Sequence, residues 1–479
     1  MSEVLKGYLF ALAYGLLCLL LAYVCYKLGT PKIFTRKLVH ILVGFEWVIL
    51  YIFHGASVHF LAVCLIFLAL LVFVAWKKLI PMISSDSDNA LGTVYYAVSM
   101  SIMALACIFC KKLIVPFGIA VFCTSLGDGF AGVIGQSIKR YNPRVYANKS
   151  LLGTLSNFAF SLLTALFFVS KFNINLDFWH ALFIAILAVE LELFTGKGFD
   201  NITLPLGVFS LASFLAFAPN AMNYIVPILV TPLIVAVVCK KHLLSSTGIF
   251  AALALDVIIS ISLGNFGFIL LLLFLVLGSL TDIVKKWSRE YNKIEKKGSC
   301  RDHIQVLANA IVASFSAVLF KSTGCYVFII AFAASLAEAL ADTASSALGA
   351  FSRKTYDLFK MRPCQKGLSG GMSLYGTFAA LIFSAFIGLV CMLFGYADLS
   401  AFLIISISGF IGTLFDSFLG SIFQIKYKCS ICGAIVEKEI HCDCSCSKHS
   451  GVRFFTNDTV NLFSTMFSAV LASIIFILI

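Results

Sequence analysis

Residues Ser125–Thr154 read SLGDGFAGVIGQSIKRYNPRVYANKSLLGT. An apolar span ends in one acid, Asp128, between Gly127 and Gly129. A basic loop with Lys139, Arg140 and Arg144 follows, and Lys149-Ser150 with Gly153-Thr154 opens the next apolar span. An acid at a membrane edge and a lysine beside small residues at a helix start suit a metal-bound phosphate. The helix N-terminus offers free N–H donors and the positive end of its dipole. The acid can hold Mg²⁺, and the lysine can act as a point charge on phosphate oxygens. Taken singly, the same residues read as a glycine-rich packing contact and a positively charged loop; taken together, they favour the phosphate reading.

Composition sets the frame. Of 479 residues 61% are apolar and 12% charged, and several runs of 18 or more are nearly charge-free, enough to cross about 30 Å of hydrocarbon as helices. Alternating strand patterning is absent, so helices satisfy the backbone in lipid. The expected fold is an all-α polytopic integral membrane protein with about sixteen transmembrane helices. They start near residues 8, 38, 58, 90, 113, 151, 178, 201, 222, 246, 265, 303, 325, 373, 398 and 459. The first, Tyr8 to Leu28, lacks a convincing cleavage site and is read as retained. All but Lys6, Lys111, Lys112, Lys171 and Lys321 of the 35 Lys and Arg follow odd-numbered spans. That bias predicts cytosolic odd loops and external termini, and it explains the net charge of +12 without nucleic acid. The 16 Cys lie in spans or in one loop expected to be cytosolic, so disulfides are not expected.

Ahead of the central stretch, Thr35-Arg36-Lys37-Leu38-Val39-His40 leads into a span holding Glu46. Arg36 and His40 share a helix face. Alone, Arg36 and Lys37 read as orientation signals and His40 as an interfacial histidine. Spans 3 and 4 are plain, apart from a polar loop, Ser84–Asn89, between them. Beyond the centre come Glu190-Leu191-Glu192, acids that are costly in a membrane, then Gly196-Lys197-Gly198-Phe199-Asp200-Asn201. Asp200-Asn201 also suits an N-cap for span 8.

RKLVH, GDGFAGVIG, NKSLLGT and FDNITLPL, in this order, resemble the polyprenol kinase family of phytol and dolichol kinases, over about residues 30–240. The resemblance implies CTP-dependent phosphorylation of a membrane isoprenoid alcohol. It implies roles for Arg36, Lys37, His40, Asp128, Gly127, Lys149, Ser150, Gly153, Thr154, Asp200 and Asn201.

A boundary is expected around Lys240-Lys241-His242, giving modules 1–242 and 243–479. The second contains the most charged loop, Lys285–Arg301, read as a solvated connector. Asp128 and Asp342 each have a glycine seven residues on, Gly135 and Gly349, and a Ser-Leu-x-Gly-Thr run then opens the next span (Ser150–Thr154, Ser373–Thr377). This reads as a diverged internal repeat. Gly370-Gly371 stands where Lys149 would, leaving backbone N–H groups and Lys366 or Arg362 to compensate. Glu338 and Asp342 share a helix face, and with Asp416 they can hold one or two Mg²⁺; three separate polar helix contacts explain them equally well.

The block 246–479 resembles the phytyl-phosphate kinase-like membrane proteins. The resemblance rests on Arg301 with QVLAN (Gln305–Asn309), ADTxxS (Ala341–Ser346), GGxSLxGT (Gly370–Thr377), Gly412-x-x-x-Asp416-Ser417-x-x-Gly420, and Asn457-Asp458-x-x-Asn461. It implies substrate or nucleotide contacts from Arg301, Asn309, Ser345, Gly370, Gly371, Ser373, Gly376, Thr377, Ser417, Asn457 and Asn461, and catalytic acids at Asp342, Asp416 and Asp458. Ala347 replaces a common Glu after ADTxxS, and Glu338 is the acid nearest to hand.

Within the loop 425–458, Cys429-x-x-Cys432 and His441-Cys442 have structural Zn²⁺ spacing. Cys429, Cys432 and Cys442 with His441 or Cys444 are the candidate ligands; a reduced, metal-free loop or acylation at the membrane interface are alternatives. The expected function is a two-module lipid kinase. The first module would phosphorylate an isoprenoid alcohol and the second its monophosphate, using Mg²⁺ and CTP or another nucleoside triphosphate. The competing readings are an isoprenoid-phosphate transporter or scramblase and a lipid-phosphate cytidylyltransferase.

Overall fold

In the computed structural model 78% of the chain is helical. The structure describes residues 2–77, 92–138, 142–146, 149–195, 198–218, 220–286, 301–352, 354–357, 359–360, 362–364, 368–437, 439–442 and 444–479. The loops 84–89 and 287–300, together with Lys139, Arg140, Asn148, Gly196-Lys197 and Lys366, lie outside these residues.

Two compact units divide the chain at Ile225. The first contains α1 (Glu3–Lys27), α2 (Lys32–Gly44), α3 (Glu46–His54), α4 (Val58–Lys77), α5 (Gly92–Phe109), α6 (Ile114–Phe122), α7 (Gly129–Ser137), α8 (Leu151–Lys171), α9 (Phe178–Phe194) and α10 (Asp200–Phe217). The second takes in α11 (Ile225–Lys241), α12 (Ser246–Lys286), α13 (His303–Thr323), α14 (Val327–Gly349), α15 (Leu374–Leu393), α16 (Leu399–Ile422) and α17 (Asn457–Leu478). The break expected at residue 242 comes one helix after this division. The Val226 N–H bonds Asn265 at 3.1 Å and Thr231 bonds Asp256 at 2.7 Å, so α11 packs with α12. The run Lys240-Lys241-His242 therefore marks a loop within the second unit.

Most of the sixteen expected spans begin close to a helix start, while the starts near 8 and 38 lie five and six residues inside α1 and α2. Among the described residues, 13 helical stretches are long and apolar enough to cross a membrane by length and composition. That smaller figure merges two expected spans in α12 and leaves out two shorter apolar helices, α4 with its run Val58–Val74 and the 17-residue α9. A straight helix of 41 residues would be about 60 Å long, twice the hydrocarbon thickness. Gly264 interrupts it at φ +62°, a conformation open chiefly to glycine. Ile249–Asp256 and Phe268–Leu275 line one cleft, so the chain folds back there. The span Lys111–Ser137 contains an irregularity as well: Cys123–Asp128 form a π turn between α6 and α7, a widening that often accompanies functional positions.

Packing in the first unit is close where α6 meets its neighbours. A Cβ on Gly118 would stand 2.5 Å from Phe168 and 2.6 Å from Trp47. In the second unit α14 is the central helix, with Phe332, Leu336, Leu340 and Ala344 fully buried. Short hairpins carry the loops: β1 (Arg144–Tyr146) with β2 (Lys149–Ser150), and β3 (Tyr356–Asp357) with β4 (Arg362–Pro363). The Cys-rich loop folds as β5 (Lys426–Lys428), β6 (Ile435–Val436), β7 (Ile440–His441), β8 (Cys444–Ser445) and β9 (Ser447–Ser450), with sheet order β6-β5-β9.

Gly118→Ala should overpack the α6 contact with two rings, at a cost of about 1–3 kcal/mol. A thermal unfolding scan of purified protein in detergent should show a lowered midpoint; an unchanged one would mean that the rings move aside freely.

Candidate functional site

In the first unit the candidate residues converge on Asp128, which is 4% exposed. Lys37 reaches it from α2, with Nζ 2.8 Å from Oδ1, 2.7 Å from Oδ2 and 3.2 Å from the backbone oxygen. The glycines make this reach possible. A Cβ on Gly132 would stand 2.4 Å from Lys37 Cε, so the lysine stem lies along the bare glycine face of α7. Lys37, read in the sequence as an orientation signal or substrate contact, is thus the direct counter-ion of the acid. His40, one turn from Arg36, places Nε2 3.5 Å from Asp128 Oδ2 and 3.2 Å from the Thr124 carbonyl oxygen. Its ring also packs on Tyr96 of α5.

The second charge group faces the first. Lys149, on β2, is ion-paired with Glu192 and stands 3.9 Å from Asp200 Oδ2. Glu192 and Asp200 both lie within electrostatic reach of Asp128 and Lys37. Burial opposes the Lys149 charge, but Glu192, Asp128 and Asp200 outweigh it and hold its pKa above that of a free lysine. Lys149 therefore stays cationic at neutral pH. Glu192, named in the sequence only as a costly acid, is a full member of the cluster. Its Oε2 is buried with no hydrogen-bond partner among the described residues. Asp200-Asn201 do not cap α10: the cap position is Phe199, with no side-chain bond, and Asp200 is the first helical residue. Asp200 turns toward Lys149 instead.

Ser150, Gly153 and Thr154 build the start of α8. Ser150 Oγ accepts from the Gly153 N–H at 3.3 Å, and Thr154 Oγ1 donates to the Ser150 carbonyl at 3.0 Å. A Cβ on Gly153 would stand 3.0 Å from the Ala131 carbonyl oxygen, and one on Gly135 would be 2.8 Å from Ser150 Oγ. Gly127 lies against Asn157 and Ser161.

The second unit repeats these contacts at the matching positions. Ser373 Oγ accepts from the Gly376 N–H at 3.2 Å, and Thr377 Oγ1 donates to the Ser373 carbonyl at 3.0 Å. A Cβ on Gly376 would stand 3.0 Å from the Ser345 carbonyl oxygen, and one on Gly349 would be 2.9 Å from Ser373 Oγ. Ala131 and Ser345 each follow their acid, Asp128 and Asp342, by three residues.

Around Asp342 the acids gather as their spacing suggests. Glu338, 1% exposed, lies within electrostatic reach of Asp416 and Asp342. It packs on Gly412, and its Oε1 is buried without a partner among the described residues. Ser464 of α17 bonds Asp416 at 3.4 Å, while Asn461 bonds Asn309 at 3.4 Å. The Arg301 guanidinium and the Thr343 methyl each come within about 4 Å of a Cβ position on Gly278. Asn457 and Asp458 form the first turn of α17, and Ser417 follows Asp416 on α16. Gly370 and Gly371 lie in the turn ahead of Ser373, with Gly370 at φ +89°. Arg301, Gln305 and Asn309 also line an apolar cleft between α11, α12 and α13, with an empty volume of about 880 Å³ including its open mouth. Val238, Phe268 and Phe274 form part of its wall, and Asp256 is held there by Thr231 and Ser260.

Mg²⁺ suits both acid groups, since each gathers hard oxygen donors and contains a buried carboxylate oxygen lacking a partner among the described residues. The Cys-rich loop is a soft site: ligand atoms of Cys429, Cys432, His441 and Cys442 all lie within 4.8 Å of one another. His441 rather than Cys444 completes the quartet; Cys444 Sγ stands 3.8 Å from Cys429 Sγ.

A family model described as "Integral membrane protein DUF92" matches residues 229–469. Protein PGR of Arabidopsis thaliana is 29% identical over 236 residues, 44% of this chain and 81% of that protein. Protein VTE6, chloroplastic, of the same plant is 26% identical over 259 residues, 53% of this chain and 69% of that protein. Phytol kinase of Synechocystis sp. is 29% identical over 182 residues, 37% of this chain and 77% of that protein. No solved structure matches.

Lys37→Met should leave Asp128 buried and uncompensated, a loss of roughly 3–5 kcal/mol. It should sharply reduce folded protein in size-exclusion profiles, and Lys37→Met with Asp128→Asn should restore much of it. Equal losses in the single and double variants would mean that the pair carries no such coupling.

Proposed function

The chain belongs to the DUF92 family of integral membrane proteins, and on that footing we propose that it is a two-step isoprenoid lipid kinase. The first unit would transfer a phosphoryl group from CTP or another nucleoside triphosphate to a phytol- or polyprenol-type alcohol. The second would phosphorylate the monophosphate to the diphosphate. The observation that carries this reading is the gathering of Lys37, Lys149, Asp128, Glu192 and Asp200 beside the start of α8. Such a set, with its carboxylates holding Mg²⁺ and its lysines on phosphate oxygens, would position a triphosphate. The relative named phytol kinase supports the substrate class.

In the first unit Asp128, Glu192 and Asp200 would hold Mg²⁺, which draws charge from the phosphate oxygens. Lys149 and Arg36 would clamp those oxygens, and the N–H groups at the start of α8 would face them. The alcohol oxygen bonds to the γ-phosphorus as the bond to the nucleoside diphosphate breaks. The hydroxyl proton passes to the His40 ring, which Asp128 orients. In the second unit Glu338, Asp342 and Asp416 would take the metal role, and Asp458, in the first turn of α17, is a further candidate acid. Arg301 and the Gly370-Gly371 turn take the place of Lys149. The acceptor there is already ionised, so no strong base is needed. The cleft lined by Val238, Phe268 and Phe274 suits the branched apolar chain, with Arg301, Gln305 and Asn309 near its charged head.

The repeated Ser-Gly-Thr contacts support one phosphate-binding device in two versions. The bias of Lys and Arg supports cytosolic sites. A reporter at Lys448 should accordingly react with an impermeant reagent from the cytosolic side only; reaction from outside would reverse the orientation.

Asp128→Asn and Lys149→Ala should each lower alcohol kinase activity roughly a hundredfold or more, while sparing monophosphate kinase activity. Asp342→Asn should do the reverse and let monophosphate accumulate. The assay uses purified protein, Mg²⁺, nucleotide labelled in the γ-phosphate or the base, and a panel of isoprenoid alcohols and monophosphates. Base label in the product would mean a cytidylyltransferase, and no product would favour transport. If one folded single variant loses both reactions, a composite site replaces the two-site reading.

A further inference from the structure

The connection between the last two helices of each unit differs sharply. In the first unit residues 195–199 suffice between α9 and α10; in the second, 423–456 intervene between α16 and α17. The inserted segment carries the cysteine–histidine quartet. Cys429 and Cys432 sit on a tight turn, with the Cys429 N–H bonding the Ala434 oxygen at 3.0 Å and the Gly433 N–H bonding the Cys429 oxygen at 3.0 Å. From the facing hairpin His441 Nδ1 stands 3.4 Å from Cys432 Sγ and 3.3 Å from Cys442 Sγ. Cys442 has φ +51°, a costly backbone state for a side-chain-bearing residue that persists where its surroundings demand it. Three thiols and one imidazole at C-x-x-C spacing form a closed, soft donor set, the pattern of structural zinc.

The same hairpin grips the glycine-rich turn. Glu437, just past β6, accepts the Ser369 N–H at 2.7 Å on Oε1 and the Gln424 side chain at 3.0 Å on Oε2. Lys426, on β5, donates to the Ser369 carbonyl at 2.9 Å. The turn is thereby pressed on the end of α16: a Cβ on Gly370 would stand 2.5 Å from Ser421 Cα. Asp357 accepts from Ser421 Oγ at 2.8 and 2.7 Å, fixing the other side.

We propose that Cys429, Cys432, His441 and Cys442 bind one zinc ion, and that the zinc-folded hairpin, through Lys426 and Glu437, holds the Ser369–Gly371 turn in position. Lys426 and Glu437 are positioning residues. The proposal rests on the kinase reading only for calling that turn phosphate-facing. Neither metal content nor turn mobility depends on activity, so each idea can fail alone.

The reporter is Cys364, whose Sγ would lie 2.8 Å from a Cβ on Gly371; its alkylation rate is read by peptide mass spectrometry on full-length protein in detergent. Purified protein should contain about one zinc per chain, and cobalt exchanged into it should give the absorption of a tetrahedral thiolate site. Removing the metal, or Cys429→Ser, should speed Cys364 alkylation roughly tenfold, the effect of losing about 1.4 kcal/mol of local hydrogen bonding. Glu437→Ala should do the same with zinc retained, and Glu437→Gln, which keeps an acceptor for Ser369, should recover part of the protection. Absence of bound zinc and of a cobalt spectrum overturns the metal site. A Cys364 rate indifferent to metal removal and to Glu437→Ala overturns the positioning role.

Discussion

Everything in the first unit answers to one constraint: Asp128 is ionisable, buried and within a membrane-spanning stretch. An isolated charge there would cost several kcal/mol, so the surrounding architecture supplies its complement. Lys37 arrives across 91 residues of sequence, and it can arrive only because α7 shows glycine where its stem passes. The π turn at Cys123–Asp128 swings the acid to the point where α2, α8, α9 and α10 meet. Lys149, Glu192 and Asp200 then form a second group, one lysine between two carboxylates. Charge balance and helix approach are one problem here, solved by the same small residues.

The second unit meets a comparable constraint with different parts. Its cap and glycine contacts match the first almost atom for atom, from Gly349 against Ser373 to Gly376 against the Ser345 carbonyl. Its charges do not match. Among the described residues, three acids on α14 and α16 gather where the first unit has its acid–lysine sets, and Arg301 stands before α13. Geometry set by backbone and small residues is thus shared, while the charged groups around it differ.

Much of this was legible in the sequence, for identifiable reasons. Membrane helices announce themselves by length and apolar continuity, so the all-α polytopic fold was legible and most expected span starts fall close to a helix start, less so at α1 and α2. Motif residues announce themselves by type: Asp128, Lys149, His40 and the Glu338–Asp342–Asp416 set were all nameable, and they do come together within their units. Partnership was not legible. Lys37 looked like one more basic residue at a helix start, because nothing local ties it to Asp128. Glu192 was visible as a costly acid, but its lysine lies 43 residues away. Asp200 fitted an N-cap by residue type, yet the helix starts one residue earlier than such a cap requires. The break near residue 242 misled because a basic run marks a loop equally well inside a unit and between two.

The charges around Asp128 form a built-in set of counter-ions. Lys37 and Lys149 face three carboxylates, Asp128, Glu192 and Asp200, so the lysines cancel all but one of the negative charges in this low-dielectric interior. A cluster that carries most of its own counter-ions can stay buried with nothing bound, so its stability does not wait on a ligand.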